Sequence, residues 1–331
     1  MRRREFISFL GGAAATWPFV VRAQQAERVR RIGVLLPNNS DDPQGQARLA
    51  AFVKELQHLG WTNGSNVQIE TRWGGADAGR YRKYAAELVA LSPDVILANT
   101  SPIVAAVQEA TQTIPIVFVQ VIDPVGAGFV TSLAKPGSNA TGFALFEFGL
   151  SGKWLALLKE IVPGITRAAV LRNPSTAAGV GQLGAIQAVA PSLGVELTPI
   201  DARSLTELER GITEFSRAPN GGLVVAASPI AQVHRQQLIA LVARLRLPAV
   251  YPFRYFAAGG ALISYGPNLE AEQNFVPAAG YVDRVLRGER PADLPVQAPD
   301  KYELVVNLRT AKALGLTIPP SVLSRADEVI E

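Results

Sequence analysis

The sequence predicts an α/β protein of two similarly built lobes, each a parallel sheet flanked by helices. Three observations carry this. Strand-like apolar runs alternate with helically spaced ones along most of the chain, which is the grammar of right-handed βαβ units. The phrase Val95-Ile-Leu-Ala-Asn-Thr-Ser-Pro-Ile103 returns as Leu223-Val-Val-Ala-Ala-Ser-Pro-Ile230, and a helix later Ile114-Pro-Ile-Val-Phe118 returns as Leu247-Pro-Ala-Val-Tyr251. The β-branched run over 116–122 has the pattern of a strand buried on both faces, and it stops at Asp123-Pro124. A carboxylate there needs a partner or water, so the strand's carboxyl end must open into a polar cavity, the place where open α/β sheets bind ligands.

In chain order, 31–37 reads as a buried strand followed by the polar loop Asn38-Asn-Ser-Asp-Asp-Pro43. Leu49, Phe52, Val53 and Leu56 give 45–59 helical spacing; 67–73 alternates as a strand, 81–91 is helical, and 95–98 is a strand. A helix opening near Ile103 leads to the strand at 116, and Lys135-Pro-Gly137 with Asn139 and Gly142 turns the chain into another strand. The second half restarts with a helix over 154–161, a strand at 168–171, the loop Arg172-Asn-Pro-Ser-Thr176 and a helix towards Leu193. A strand at 196–200 precedes Ser204-Leu-Thr-Glu207, a capping box. Strands are expected at 222–226 and 259–266, helices over 229–245 and 269–286, and short extended pieces at 295–296 and 302–307.

The chain has 331 residues, 48% of them hydrophobic and only 18% charged, enough for two domains with sizeable cores and too little charge for a disordered protein. Arg2, Arg3, Arg4 and Arg22 against Glu5 place three of the four net positive charges in the first 23 residues, so the rest is no footprint for a nucleic acid. With no cysteine and two histidines, disulfides, thiolate metal sites and a His-based metal centre are not expected, nor is any cofactor. Gly33-Val-Leu-Leu lacks a dinucleotide fingerprint and Gly149-Leu-Ser-Gly-Lys-Trp lacks a phosphate loop's spacing.

Residues 1–23 read as a signal peptide. Arg3-Arg4-Glu5-Phe6-Ile7 precedes an apolar segment over 9–21 that is short for a membrane span, and Val21-Arg-Ala23 offers a cleavage site after Ala23. The paired arginines resemble the twin-arginine export signal, so a periplasmic protein is expected. Without a cysteine it is not a lipoprotein.

If each repeated Ser-Pro starts a helix with Ser as N-cap and Pro as first residue, two helix ends face one gap, suited to an anionic group such as a carboxylate. The leading single candidate is Asp123, either an acceptor for a ligand ammonium or hydroxyl or a cap for the turn after it. Asn38, Asn99, Thr100 and Ser101 stand at strand ends of the first lobe; Asn173, Ser175 and Ser228 stand at the matching places of the second. Tyr251 and Phe253, with Arg254 and Tyr255, form either an aromatic wall or hinge packing. No nucleophile elbow is present, and His58 and His234 read as surface residues.

The stretch Asp123-Pro-Val-Gly-Ala-Gly128, then Lys135-Pro-Gly-Ser-Asn-Ala-Thr-Gly142, resembles the periplasmic solute-binding proteins of ABC transporters of the tryptophan/tyrosine type. Leu171-Arg-Asn-Pro-Ser175, Gly288-Glu-Arg-Pro-Ala-Asp-Leu-Pro-Val296 and Asn307-Leu-Arg-Thr-Ala-Lys-Ala-Leu-Gly-Leu-Thr-Ile-Pro319 extend the likeness over most of the chain. The resemblance implies a type I periplasmic binding fold: two Rossmann-like lobes with parallel sheets, joined by a hinge of several strands near Phe143, Ile263 and Pro295. It puts residues 30–144 with about 268–292 in the N-terminal lobe, and 145–266 with about 293–331 in the C-terminal lobe. It further implies a monomer that captures a small, amino-acid-like solute by hinge closure and passes it to a permease and ATPase, with no catalysis. The alternative is an exported α/β hydrolase or other enzyme, which the fold alone does not exclude.

Overall fold

The computed structural model describes residues 28–268 and 271–331, so the expected signal peptide lies outside the described residues. The first half runs β1 (Arg30–Leu36), α1 (Pro43–His58), β2 (Val67–Trp73), α2 (Ala78–Ala90), β3 (Val95–Asn99), α3 (Ser101–Ala110), β4 (Ile116–Val121) and β5 (Ala140–Ala144). These strands form a parallel sheet in the order β2-β1-β3-β4-β5. β3, β4 and β5 are buried throughout, as unbroken apolar runs require when helices cover both faces.

The second half runs α4 (Leu150–Ile161), β6 (Arg167–Arg172), α5 (Ala177–Leu193), β7 (Glu196–Asp201), α6 (Leu205–Phe215), β8 (Gly221–Val225), α7 (Pro229–Val233), α8 (Arg235–Arg244), β9 (Ala249–Tyr251), α9 (Arg254–Ala258) and β10 (Ile263–Pro267). The chain then forms α10 (Ala271–Leu286), a 3-10 turn at Pro291–Asp293, β11 (Tyr302–Asn307), α11 (Leu308–Leu314), α12 (Pro320–Leu323) and β12 (Glu328–Ile330). Its sheet has the order β12-β11-β10-β9-β8-β6-β7. All neighbours are parallel except β10 and β11, so the sheet departs from the all-parallel expectation at that one pairing.

The cores follow this division. α10 returns to the first sheet: Phe275, Ala278 and Val282 pack with Ile32, Phe52, Val117 and Val119 on one face, while α2 and α3 cover the other face through Ala85, Leu88, Ile103 and Val107. A separate cluster built on Trp154, Leu158, Ile186, Leu223 and Val250 fills the second sheet. The chain passes between the sheets at 145–149, between β10 and α10, and at 294–301. At the first and third passages the Ala144 N–H donates to the Gln297 carbonyl at 2.7 Å and the Gln297 N–H to the Gly142 carbonyl at 2.9 Å.

Two local expectations are corrected. The helix expected over 229–245 is two helices, broken at His234, whose φ of −101° and ψ of 26° leave the helical region. In the first lobe the N-cap of α3 is Thr100 rather than Ser101, at φ 81° and ψ 152°. The segment after Asn307, read only through family likeness, adds α11, α12 and the edge strand β12.

Candidate functional site

Where β3 ends, Thr100 holds a backbone conformation that a β-branched residue rarely adopts, and its N–H donates to the Val119 carbonyl at 3.0 Å. The turn brings Ser101 across to β4, where its Oγ accepts from the Ile122 N–H at 3.1 Å. A register shift between β4 and β5, spanning Phe118 to Val121, accompanies φ 56° at Gln120. Thr100, Ser101 and Gln120 thus stand together at the carboxyl edge of the first sheet, facing the second lobe.

The second lobe answers with the starts of α5 and α7. Thr176 Oγ1 caps α5 by accepting from Gly179 N–H at 3.0 Å; Ser228 Oγ caps α7 by accepting from Ala231 N–H at 3.4 Å. Buried Gln182 ties the two starts together, since its Oε1 accepts from Ala227 N–H at 2.9 Å and its Nε2 donates to the Ala227 carbonyl at 3.0 Å. Between the lobes lies a cavity lined from the first by Thr100, Ser101, Pro102 and Gln120 and from the second by Thr176, Ser228, Gln232 and Phe253. Ile122, Leu145, Ala178, Ala227 and Pro229 supply its apolar surface. Both Ser-Pro turns therefore face one gap. Thr100 Oγ1, Gln120 Nε2 and Gln232 Nε2 are buried there with no hydrogen-bond partner among the described residues.

Beside this cavity the lobes meet through charge. Asp42, the N-cap of α1, accepts from Gly45 N–H at 2.9 Å and from Asn38 Nδ2 at 2.6 Å on Oδ2, and from Arg235 Nη2 at 3.1 Å on Oδ1. Arg235 also donates from Nη1 to the Gln232 carbonyl at 3.2 Å. Arg48 is buried close by; burial lowers its pKa, opposed by Tyr255 and Asp42, while Arg235 adds to the lowering. Burial likewise pushes up the phenols of Tyr251 and Tyr255.

Of the ten residues singled out from sequence, Thr100, Ser101, Ser228 and Phe253 line the cavity. Asn38, Asn99 and Tyr251 are buried at strand ends without lining it: Asn38 donates to Asp42, Asn99 has neither side-chain polar atom paired among the described residues, and Tyr251 stacks on Phe256 at 4.9 Å. Asp123, Asn173 and Ser175 are placed elsewhere. Asp123 accepts from Gly126 N–H at 2.7 Å and Phe148 N–H at 3.2 Å, so it caps its own turn and borders a second, open pocket beside the 145–149 passage. Asn173 Oδ1 accepts from Ser175 N–H at 3.0 Å, and Ser175 Oγ accepts from Arg203 Nε at 3.2 Å. These bonds spend both side chains on the surface loop before α5. Gln120 and Gln232 were not among the expected residues. Gln120 is the one polar side chain within the run 116–122, and Gln232 lies one helical turn after Ser228.

Residues 41–330 match the family described as "ABC transporter substrate binding protein". The chain belongs to that family. A curated relative, the "Tyrosine-binding protein" of Clostridioides difficile (strain R20291), is 27% identical over 271 residues, which are 80% of this chain and 75% of that protein. A Vibrio cholerae conserved domain protein is similar in structure at TM-score 0.79 and 26% identity, covering 91% of this chain and all of that one. A Streptococcus pneumoniae ABC domain solved in complex with L-Trp gives TM-score 0.80 at 23% identity, covering 91% and 99%, a likeness of fold. The substrate-binding family accounts for the architecture: this is the solute-binding component of an ABC-type uptake system, with the type I periplasmic binding fold. It works with permease and ATPase subunits, and its family is extracytoplasmic. The comparisons give the exported-hydrolase alternative no support.

Proposed function

We propose that the chain captures a small amino-acid-like solute in the cavity between Thr100–Ser101 and Ser228–Pro229 and releases it unchanged to its permease. One observation carries this reading: two like turns, one from each lobe, line a single cavity between the sheets. Thr100, Ser101, Ser228 and Phe253 make the contacts, polar groups fixing orientation and apolar walls supplying burial. The named binding of tyrosine by one relative and the L-Trp complex of another fit an amino-acid-like solute. Among the described residues that line the cavity none is ionisable, so no acid, base or thiol there is equipped for catalysis. The packing of α10 on α1 and β4 supports a first lobe of 30–144 with about 268–292, and the shared sheet of β6 to β12 supports a second of 145–266 with about 293–331. The mature chain is a periplasmic monomer, exported by the twin-arginine route and cleaved after Ala23.

Thermal unfolding of the purified chain against amino acids and related solutes tests the capture. A solute bound only by the folded state adds about 2.7 kcal/mol at a hundredfold excess over its Kd. Stabilisation with the solute recovered intact is the expected result. Conversion of a stabilising compound into product overturns it.

A further inference from the structure

We propose that a carboxylate on the solute is gripped between two glutamine amides, Gln120 of the first lobe and Gln232 of the second, with the Thr100 hydroxyl completing the grip; this rests on the capture reading above. Neither glutamine was expected from sequence. Each presents a buried Nε2 donor without a partner among the described residues, and both line the same cavity. Gln120 is 2% exposed and Gln232 6%, so water meets neither demand freely. Buried amide donors left unpaired are costly, and a group that accepts from both removes the cost. A carboxylate does so with one oxygen for each amide, and it retains lone pairs for the unpaired Thr100 hydroxyl.

One feature selects an anion over a neutral acceptor such as a sugar hydroxyl, and a second fixes the grip in advance. The first turns of α3 and α5 border the cavity through Ser101 and Ala178, and helix starts favour negative charge. Gln120 and Thr100 are held at φ 56° and φ 81°, left-handed conformations that non-glycine residues adopt at some energetic expense and that cluster at binding sites. The backbone thereby holds two of the three groups in place before the solute arrives. Gln232 adds the link between capture and closure, because its carbonyl receives Arg235, which reaches across to Asp42.

The test is calorimetric titration of the full mature chain with L-tyrosine, L-tryptophan, 3-(4-hydroxyphenyl)propanoate, tyramine and myo-inositol, repeated on Gln120→Met and Gln232→Met. Methionine keeps the length and loses the donor. The expected result is that carboxylates bind and tyramine and myo-inositol do not, and that each variant binds carboxylates about tenfold or more weakly, the loss of a charge-assisted hydrogen bond. Circular dichroism confirms that the variants fold, and wild-type discrimination between L-tyrosine and tyramine reads the proposal without any variant. Carboxylate affinity unchanged in both folded variants overturns the amide grip alone. Binding of myo-inositol or tyramine in preference to the carboxylates overturns the carboxylate and leaves solute capture standing. Failure of every compound to bind overturns both.

Discussion

Asp123 meets its hydrogen-bonding demand without a solute. A carboxylate at the end of a buried strand needs donors, and the chain supplies two N–H groups, from Gly126 and from Phe148 in the passage to the second lobe. Asp123→Ala is expected to cost about 1–3 kcal/mol of stability, read from urea unfolding, while leaving the ranking of solutes unchanged. Asp123→Asn, which tolerates the φ of 42° and keeps one acceptor, loses less. The sequence showed that a polar end was required there but not which donors would come, because Phe148 is 25 residues away. Gln120 was hidden for the opposite reason: a run of β-branched neighbours masks one amide that a positive φ turns out of register. His234 offers a pH reading at the same scale. Burial lowers its pKa from the ordinary 6.5, with Glu209 opposing. Below 6.5 the unfolded chain takes the proton first, so this contribution is present in full at neutral pH and is lost as pH falls through the depressed folded value. Comparing urea midpoints at pH 7.5 and 5.5, His234→Gln is expected to lose less stability on acidification than the unaltered chain.

Strands were the elements most legible in the sequence: β3 and β4, covered by helices on both faces, are apolar along most of their length, and the edge strand β2 shows itself by alternation. All three stand where their runs placed them, to within a residue or two. Less legible were elements defined by pairing rather than composition. β11 reads as extended in isolation, and only its register against β10, Ile263 opposite Val306, makes it antiparallel. The break between α7 and α8 carries no proline or glycine, so apolar spacing runs through it unaltered. β5 depends on one atom-scale condition. Gly142 has φ 149°, and a Cβ there would lie 1.9 Å from the Phe118 carbonyl oxygen of β4. Gly142→Ala must therefore shift backbone against backbone, in a conformation that side chains avoid, beside the Phe143–Gln297 bridge between passages. A loss of about 3 kcal/mol or more is expected in denaturant unfolding, or failure to accumulate folded protein.

At the scale of the whole molecule, the Asp42–Arg235 ion pair joins the two lobes beside the cavity. Both side chains are largely buried, at 13% and 21% exposure, so the attraction is screened less than a surface pair would be. Two donors remain to Asp42 when Arg235 is removed, from Gly45 and Asn38, so the N-cap of α1 survives the change. Neither lobe's core contains Arg235. Arg235→Gln is accordingly expected to leave each lobe folded while shifting the molecule towards the open form by about 1–2 kcal/mol, the scale of a partly buried ion pair. Because a solute clamped by both lobes must also draw them together, its affinity should fall by the matching factor of about tenfold, equally for every solute that binds. Small-angle scattering should give a larger radius of gyration for the solute-free variant than for the unaltered chain, and saturating solute should restore the compact form in both. Equal radii together with unchanged affinities would show that the pair only decorates the seam. A change in solute ranking would move Arg235 from holding the lobes together to touching the solute itself.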